Sequence, residues 1–493
     1  MIGGKNVSLS ETSQNQPLSP AEYPIYPSSV HTTSCGKTVS MAAGQSCDYL
    51  VADTDAGFSG ESFTAADGTT KILAPLTHEN AVVLRKLFPF TAPVSLLSSK
   101  CTMGVGDRLG IATPGHIRVF KRYDVRPVFA QQSIRELTLT GRNYDNVLDC
   151  ASFAVFREDY QKGFGADGDH LKKSEEIAYA LDSRYTMITL DCSEHIHTAA
   201  AHMTDAEIQA IYQPDPALEA EYIGKTFSLA DCSFCCSAED FRRMVVIYQG
   251  VIDFTNQIYH QYIEGRPVDF EISIDETETP TTPLQHFFVA NELLKRGVRF
   301  ATIAPRFCGE FQKGIDYIGV CAQFAEELKQ HVAIANALGY KLSIHSGSDK
   351  FAVFPTIGQL TGGHFHLKTA GTNWLVAMEL VARKDPALYR EIHAFALKAF
   401  QSARQYYHVS TELADVPSID TLPDNQLPSL FRQNAVRQLI HITYGQILTE
   451  KAPSGASLFK ERLYALWRKY DTEYAEMLEQ HIGHHLELLL GNK

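Results

Sequence analysis

Eight short apolar runs alternate with helical stretches through the middle of the chain, and this alternation constrains the fold more than any other feature. Each run ends in polar or glycine residues, as a buried parallel strand does. The runs are "CTMGVGDR" (101–108), "VRPVFAQQ" (125–132), "KGFGADGD" (162–169), "YTMITLDCS" (185–193), "VDFEISIDE" (268–276), "VRFATIAPR" (298–306), "KLSIHSGSD" (341–349) and "HFHLKTAGT" (364–372). Eight strands, each followed by a helix, predict an α/β fold of the (β/α)8 TIM-barrel type. An open doubly wound sheet would show similar alternation, but no GxGxxG follows the first run.

The flanking regions predict additions to this barrel. A chain of 493 residues suits one large domain with additions, or two to three domains. Residues 1–95 are rich in Ser, Thr, Gly and Pro, and they predict a disordered tip followed by a β-rich subdomain. We place the barrel at 96–385, with an insertion at 195–237 after the fourth strand. Residues 386–493 predict a helical C-terminal extension.

Charge and hydropathy exclude several classes of protein. The net charge is −13 and no long block of Lys or Arg is present, so neither nucleic acid nor an anionic membrane is an expected partner. No run of about 18 apolar residues predicts a membrane span. The first twenty residues lack the basic and apolar regions of a secretory signal, so we expect a cytoplasmic protein.

The ten cysteines are scattered, and only "CSFCC" (Cys232, Cys235, Cys236) forms a cluster. A structural zinc site normally needs a second Cys or His pair at matched spacing, and none stands out. Reduced thiols are therefore the expected state, and the role of this cluster stays open.

Polar residues recur at the ends of the predicted strands, where the active sites of TIM barrels lie. These residues are Asp107, Arg108, Gln131, Gln132, Asp169, His170, Asp191, Asp275, Glu276, Arg306, His345 and Lys368. Strand ends without a function would carry plain turn residues instead. We therefore predict a binding site at the carboxyl ends of the strands.

The stretch "KGFGADGDHLKKSEE" (162–176) places two carboxylates and an imidazole at the end of the third strand. A helix N-cap accounts for one aspartate, because its carboxylate accepts the free amide hydrogens of the first turn. This explanation leaves His170 and the other aspartate available for chemistry.

Three histidines from separate strands are predicted to meet at the barrel mouth. His170 ends the third strand, His345 ends the seventh, and "HFHLK" puts His364, His366 and Lys368 on one face of the eighth. We choose His366 over His364 because it lies nearer the carboxyl end. A single histidine is more often a core or rim residue, but three converging imidazoles favour a divalent cation such as zinc, manganese, nickel or cobalt.

Other charged residues suggest proton transfer and substrate binding. Asp275 and Glu276 lie at the rim, where one of them could act as an acid/base or a metal ligand. Arg306, with Lys313 nearby, could clamp a substrate carboxylate, although a surface salt bridge accounts for Lys313 equally well. Asp191 could be a ligand or could hold a neighbouring histidine.

Seven motifs resemble those of the tagaturonate/fructuronate epimerase family. They are "GVGDRLGIATPGH", "FAQQSIRELTLTGR", "GADGDHLK", "DFEISIDETETPTTP", "APRFCGEFQKGIDY", "IHSGSDKF" and "HFHLKTAGTNW". The resemblance runs from about residue 100 to 380. It implies a divalent-metal-dependent enzyme that interconverts two keto-uronates, D-tagaturonate and D-fructuronate.

The two keto-uronates differ at the carbon β to the ketone, whose hydrogen the carbonyl does not acidify. Retro-aldol cleavage between the α and β carbons instead leaves an enediolate that a metal can chelate. The resemblance thus implies Asp169 as the base and Glu276 as a second acid/base. The predicted metal ligands are His170, His345 and His366, and the predicted substrate-binding residues are Arg306, Lys368, Gln132 and Asp107. The expected partner is a small keto-uronate, and a homo-oligomer stays open.

Three alternatives remain at this point. One is a class II-type aldolase, which would release both fragments, and another is a ketose 4-epimerase or isomerase acting on a neutral or phosphorylated sugar. A non-catalytic carbohydrate-binding barrel would favour exposed tryptophan platforms. The chain has only Trp374 and Trp467, both within helical patterns.

Overall fold

The computed structural model describes residues 19–229 and 232–491. For residue 370, within the second range, it describes the backbone but not the side chain. Most of the predicted disordered tip lies outside the described residues. The chain divides into two compact units, Met1–Leu87 and Phe88–Lys493. The predicted domain boundaries near residues 95 and 385 stay predictions.

The first unit is built on an antiparallel sheet. Its elements are β1 (His31–Thr32), β2 (Thr38–Ala43), β3 (Asp48–Asp53), β4 (Glu61–Thr64), β5 (Thr70–Pro75) and the helix α1 (His78–Leu87). The strands are ordered β1-β2-β3-β5-β4. The predicted β-rich N-terminal subdomain is thus confirmed.

The second unit contains a closed eight-stranded parallel barrel. The strands of this unit are β6 (Cys101–Gly106), β7 (Arg126–Ser133), β8 (Gly165–Leu171), β9 (Met187–Asp191), β10 (Thr226–Leu229), β11 (Cys232–Cys235), β12 (Asp269–Ile274), β13 (Thr302–Pro305), β14 (Lys341–Ile344) and β15 (Phe365–Ala370). All but β10 and β11 form the barrel, in the order β12-β13-β14-β15-β6-β7-β8-β9. Each barrel strand overlaps one predicted run, which confirms the (β/α)8 fold.

Helices follow the barrel strands and extend to the C-terminus. They are α2 (Thr113–Arg122), α3 (Ile134–Thr140), α4 (Tyr144–Arg157), α5 (Ser174–Asp182), α6 (Asp205–Ile211), α7 (Pro216–Tyr222), α8 (Ala238–Ile258), α9 (Pro283–Lys295), α10 (Cys321–Leu338), α11 (Phe354–Thr361), α12 (Thr372–Lys384), α13 (Pro386–Ala403), α14 (Asn434–Ile442), α15 (Tyr444–Thr449), α16 (Lys460–Lys469) and α17 (Asp471–Leu490).

Local sequence explains where several of these helices begin. The Ser133 hydroxyl accepts from the backbone N–H of Glu136 and caps α3 directly after β7. Thr282 and Gln285 form a reciprocal capping box at the start of α9, with Pro283 at its first position. The Ser133 cap begins α3 at the residue that follows β7, and it therefore fixes where that strand ends.

Between β9 and α8, the chain forms α6, α7 and a two-stranded hairpin of β10 and β11. All ten cysteines are free thiols, including the three of the "CSFCC" cluster on this hairpin. Among the described residues, none of these three belongs to a group of side chains that could hold a metal ion.

The C-terminal helices confirm the predicted helical extension and have a hydrophobic core of their own. Trp374 on α12 and Trp467 on α16 are both buried and pack edge to face, with their ring centroids 6.1 Å apart. Buried tryptophans cannot serve as sugar platforms, which argues against the carbohydrate-binding alternative. In the described parts of the chain, no helix combines the length and the apolar character needed to span a bilayer.

Candidate active site

A cavity of about 620 Å³ opens at the carboxyl ends of the barrel strands. Its lining includes six residues that the sequence predicts for the site, namely Asp169, His170, Glu276, Arg306, His345 and Lys368. The volume suits a small ligand. The predicted location of the site therefore agrees with the cavity.

A bulge at the end of β8 explains how Asp169 and His170, adjacent in sequence, both reach this cavity. In a regular strand, successive side chains point to opposite faces. The register between β8 and β9 shifts between Gly168 and Leu171, and His170 has a left-handed φ of 54°. Such a φ is uncommon for a residue other than glycine and indicates a functional constraint.

A buried lysine lies among three carboxylates beneath the cavity. Lys368 Nζ lies 2.8 Å from Asp167 Oδ2 and 3.2 Å from Glu271 Oε1, and it also pairs with Asp169. It donates a further hydrogen bond to Thr189 Oγ1 at 2.6 Å. Lys368 is 4% exposed. Its donors are occupied by protein groups, so a role in binding substrate directly stays a prediction.

The pKa values of two of these carboxyl groups shift in opposite directions, although burial and Lys368 act on both. Burial raises the pKa of Asp167 to about 6, although Lys368 opposes the change. Burial alone would also raise the pKa of Asp169, but Lys368 and His170 outweigh it and lower that pKa to about 2. Asp169 is therefore an ionised carboxylate at neutral pH.

His345 lies between two carboxylates of β12 and the loop that follows it. Its Nε2 is 2.7 Å from Glu271 Oε1, and its Nδ1 is 3.2 Å from Asp275 Oδ1. Burial would lower the pKa of His345, but Asp275 and Glu271 overcome this effect and raise it to about 10. The protonated His345 thus partly neutralises the two carboxylates beside it. Metal binding would displace that proton, because an imidazole binds a metal ion in its deprotonated, neutral form.

His170 is held at the mouth by a neighbouring acid. His170 Nδ1 lies 3.4 Å from Asp191 Oδ2, while Asp191 Oδ1 accepts the backbone N–H of Ser193 at 2.9 Å. Lys172 Nζ lies 3.5 Å from the same Asp191 carboxylate and 3.9 Å from the exposed Glu276. Of the two roles considered for Asp191, this geometry favours the one that holds a histidine.

The ligand atoms of His170, Asp275 and His345 all lie within 4.8 Å of one another. Two imidazoles and one carboxylate are a donor set that suits zinc and other divalent transition metals. A second group, which shares His170 and adds Asp191 and Glu276, lies beside it. The residues present therefore fit a divalent cation at the cavity floor.

His366, the third predicted ligand, is absent from every group of potential ligands found among the described residues. It lies deeper in the barrel, fully buried, where Nδ1 is 2.8 Å from Thr102 Oγ1. Burial lowers its pKa to about 3. His366 precedes Lys368 by two residues on β15 and so points inward one layer lower. Asp275 completes the group with His170 and His345, and the role of His366 as a ligand stays a prediction.

Two predicted substrate-binding residues are not among the described residues that line the cavity. Asp107 instead organises the loop before α2, where its carboxylate accepts backbone N–H groups of Leu109, Gly110 and Ala112 at 2.7–3.0 Å. The Gln132 side chain is buried and donates to the Asp107 carbonyl at 3.1 Å. Both side chains support the loops around the cavity.

The sequence reasoning missed Glu271 and Asp167 as functional residues. A signal was present, since Glu271, Ser273 and Asp275 alternate along β12 and must share one face. Asp167 and Asp169 are related in the same way on β8. Charged residues with this spacing on a buried strand point into the barrel and need partners.

A further group of potential ligands lies away from the cavity, and we call it the C-terminal latch. Asp349, in the loop after β14, lies 3.0 Å from His481 Nε2 and 3.2 Å from His485 Nε2 of α17. Its second oxygen pairs with Arg437, and its backbone N–H donates to His485 Nε2 at 3.1 Å. Because Arg437 neutralises the carboxylate and His485 accepts that hydrogen bond, we interpret the latch as an ionic contact.

Comparison with known proteins identifies the relatives of this chain. A sequence model of the UxaE tagaturonate epimerase family matches residues 26–489. A tagaturonate/fructuronate epimerase of Thermotoga maritima is 42% identical over 431 residues, which cover 86% of this chain and 88% of the relative. The native crystal structure of fructuronate-tagaturonate epimerase UxaE from Cohnella laeviribosi has a TM-score of 0.92 and 47% identity, covering 95% and 96% of the two chains. A structure of the Cohnella enzyme with one glycerol gives the same TM-score and coverage at 48% identity.

Proposed function

Because the chain belongs to the tagaturonate/fructuronate epimerase family, we propose that it interconverts D-tagaturonate and D-fructuronate by retro-aldol cleavage and re-addition. The chain is an isomerase, and its metal dependence and mechanism are the proposed parts. The observation that supports them best is the convergence of His170, Asp275 and His345 in a cavity that the buried Asp169 and the exposed Glu276 also line. A keto-uronate is the proposed partner, while a cytoplasmic location and a homo-oligomer stay predictions.

The substrate itself favours bond cleavage. The inverted carbon is β to the ketone, so removing its hydrogen would give a carbanion with no carbonyl to stabilise it. In the proposed step, a base removes the proton of the β-hydroxyl and a carbonyl forms at the β carbon. The bond between the α and β carbons breaks, and its electron pair forms the enediolate. The aldehyde then turns and adds back through its other face, and the new alkoxide takes up a proton.

His170, Asp275 and His345 would hold the divalent cation. When bound, such a cation supplies Lewis-acid chemistry, polarising a carbonyl and stabilising negative charge on oxygen. The residues around it orient the ligands. Glu271 contacts His345, and Asp191 contacts His170, as carboxylates commonly do behind ligating histidines.

Asp169 is the proposed base for one epimer. It is ionised, and its low pKa makes it a weak base that gives a proton back readily. A general base must accept a proton in one step and return it in another, and an ionised carboxylate can do both. Lys368 stays protonated, because the surrounding carboxylates overcome burial and raise its pKa well above the usual value. Its positive charge therefore stays beside Asp169 throughout the reaction.

Glu276 is the proposed acid/base for the other epimer. Its side chain is 42% exposed, whereas that of Asp169 is 9% exposed, so the two carboxylates lie at different depths in the cavity. Inverting the β carbon moves its hydroxyl from one face to the other. Two proton-transfer groups at different depths can serve these two positions.

The position of hydrogen in the product tests the mechanism. Epimerisation of D-tagaturonate in heavy water, followed by NMR of the product, should show no deuterium at the β carbon, because that hydrogen never leaves. Proton-transfer epimerisation would generally exchange it, so deuterium there would contradict the proposal. A hydride shuttle would also avoid exchange, and carbon isotope effects at both atoms of the broken bond would distinguish cleavage from it. Accumulation of both fragments would indicate an aldolase instead.

A further inference from the structure

The cations that line the cavity differ in how fully their charge is compensated. They are Arg135, Arg306, Lys313, Lys350 and Lys368. Lys368 pairs with three carboxylates. Lys350 Nζ donates to the backbone carbonyls of Gln312, Ile315 and Ser348 at 2.6–2.9 Å, which uses all three of its protons. Neither lysine has a donor left for a ligand.

The two arginines also have partners within the protein. Arg306 lies at the rim, 24% exposed by side chain, and its guanidinium is 3.6 Å from Glu310 Oε1. Arg135 donates to the Tyr406 carbonyl at 3.3 Å and lies over the Tyr407 ring, 5.0 Å from its centroid. Both arginines are thus oriented by residues other than a ligand.

Lys313 differs from the other two lysines because its ammonium is not fully used by protein acceptors. Its Nζ donates to Ser346 Oγ at 3.1 Å, and among the described residues no carboxylate lies within ion-pair distance of it. Burial, together with the nearby Arg135 and Arg108, lowers the pKa of Lys313, and the opposing effect of Glu136 and Asp169 is smaller. A half-buried ammonium among other cations has an unfavourable electrostatic environment, which an anion in the cavity would relieve.

Lys313 also lies close to residues that the proposed reaction uses. Ser346, its hydrogen-bond partner, directly follows His345, so their Cα atoms are about 3.8 Å apart. Lys313, Asp169 and His345 all line the same cavity. The ammonium therefore borders the space in which the substrate must lie.

We propose that Lys313 binds the substrate carboxylate, and this inference rests on the proposed function. In a keto-uronate the carboxylate terminates the half of the molecule that becomes the aldehyde. An ion pair at that end would retain the fragment while its aldehyde group turns. A single ammonium is a point charge without the fixed geometry of a guanidinium, so it permits the carboxylate to pivot. Lys313 thus favours keto-uronates over neutral ketohexoses and re-addition over release.

Binding of a substrate analogue that cannot react gives the direct test. D-gluconate carries the carboxylate but no ketone, so calorimetric titration measures the contact independently of cleavage. Lys313→Met should weaken gluconate binding about 10- to 100-fold, as expected for the loss of a charge-assisted hydrogen bond, and Lys313→Arg should restore most of it. Lys329→Met, at an exposed lysine of α10, should bind as the wild type does.

Two results would overturn the proposal. One is unchanged gluconate binding by a folded Lys313→Met variant, and the other is a loss confined to Arg306→Leu. During turnover of D-tagaturonate, Lys313→Met should also release more aldehyde, trapped with a hydrazine, per epimer formed. If Lys313→Met releases no more aldehyde per epimer than the wild type, retention of the fragment by Lys313 is wrong. The heavy-water experiment tests the cleavage step separately, and the gluconate titration decides whether Lys313 binds the carboxylate.

Discussion

Replacing Lys368 with methionine tests the electrostatic arrangement beneath the cavity. The substitution keeps a long side chain but leaves Asp167, Asp169 and Glu271 without their shared cation. Removing one partner of a buried ion pair typically destabilises a protein by about 3–5 kcal/mol, because an uncompensated charge remains. Since Lys368 is 4% exposed, solvent screening cannot remove much of this cost. We expect a decrease of about 3–5 kcal/mol in the free energy of unfolding at pH 7.

The pH dependence follows from the direction of the pKa shifts. In the wild type, the folded pKa of Asp169 is about 2, below its usual value, so this carboxylate adds stability at neutral pH that is lost as the pH falls towards 2. Without Lys368, burial is less opposed and the carboxyl pKa values rise above their usual values. The same groups then destabilise the fold at neutral pH, and the deficit shrinks near pH 4 as they take up protons.

Urea unfolding of the Lys368→Met variant, followed by circular dichroism with a chelator present, measures this deficit at both pH values. The chelator prevents a metal from taking the place of the ammonium. Lys329→Met, at an exposed lysine, should change the free energy of unfolding by less than about 0.5 kcal/mol. Adding Asp167→Asn to Lys368→Met should recover part of the loss. A deficit below about 1 kcal/mol at pH 7, or the same deficit at pH 7 and pH 4, would refute the reasoning.

Four other substitutions test the site and one tests the latch. His345→Ala and Asp275→Asn should each lose bound metal in a mass-spectrometric assay, whereas His366→Gln should retain it, and full metal content in the first two would exclude the proposed ligand set. Asp169→Asn should keep the metal and lose about 100- to 10,000-fold in kcat, and near-normal turnover would rule it out as the base. Arg437→Met should remove the arginine that neutralises the buried Asp349 and leave only His481 and His485 beside it, which should destabilise the fold by up to about 3–5 kcal/mol. An unchanged urea midpoint would contradict the latch.

The sequence predicted the barrel because each strand is a local pattern, a short buried run bounded by polar residues. The same reasoning located the site, since the carboxyl ends of parallel strands must meet at one end of a barrel. It selected His170 and His345 correctly as residues of the cavity. These successes depend on information within a few residues of each position.

The depth of His366 in the barrel is information that this reasoning could not supply. Proximity to a strand end does not fix depth, and one layer of side chains separates the interior of the barrel from its mouth. The β8 bulge was equally hidden, because no residue in "GDHL" requires a left-handed His170. Pairings such as Asp349 with His481 depend on how α17 packs, which no local pattern contains.

The C-terminal latch has a consequence for how the protein is made. All eight barrel strands have been synthesised by residue 370, but the loop that carries Asp349 contacts His485 in the last helix. Translation must add about 115 more residues, which takes roughly 6 to 23 s at the usual rate. During that interval the ribosome carries a barrel whose His345 loop still lacks its anchor. The loop between His345 and α11 therefore gains its His485 contact only after α17 has been synthesised.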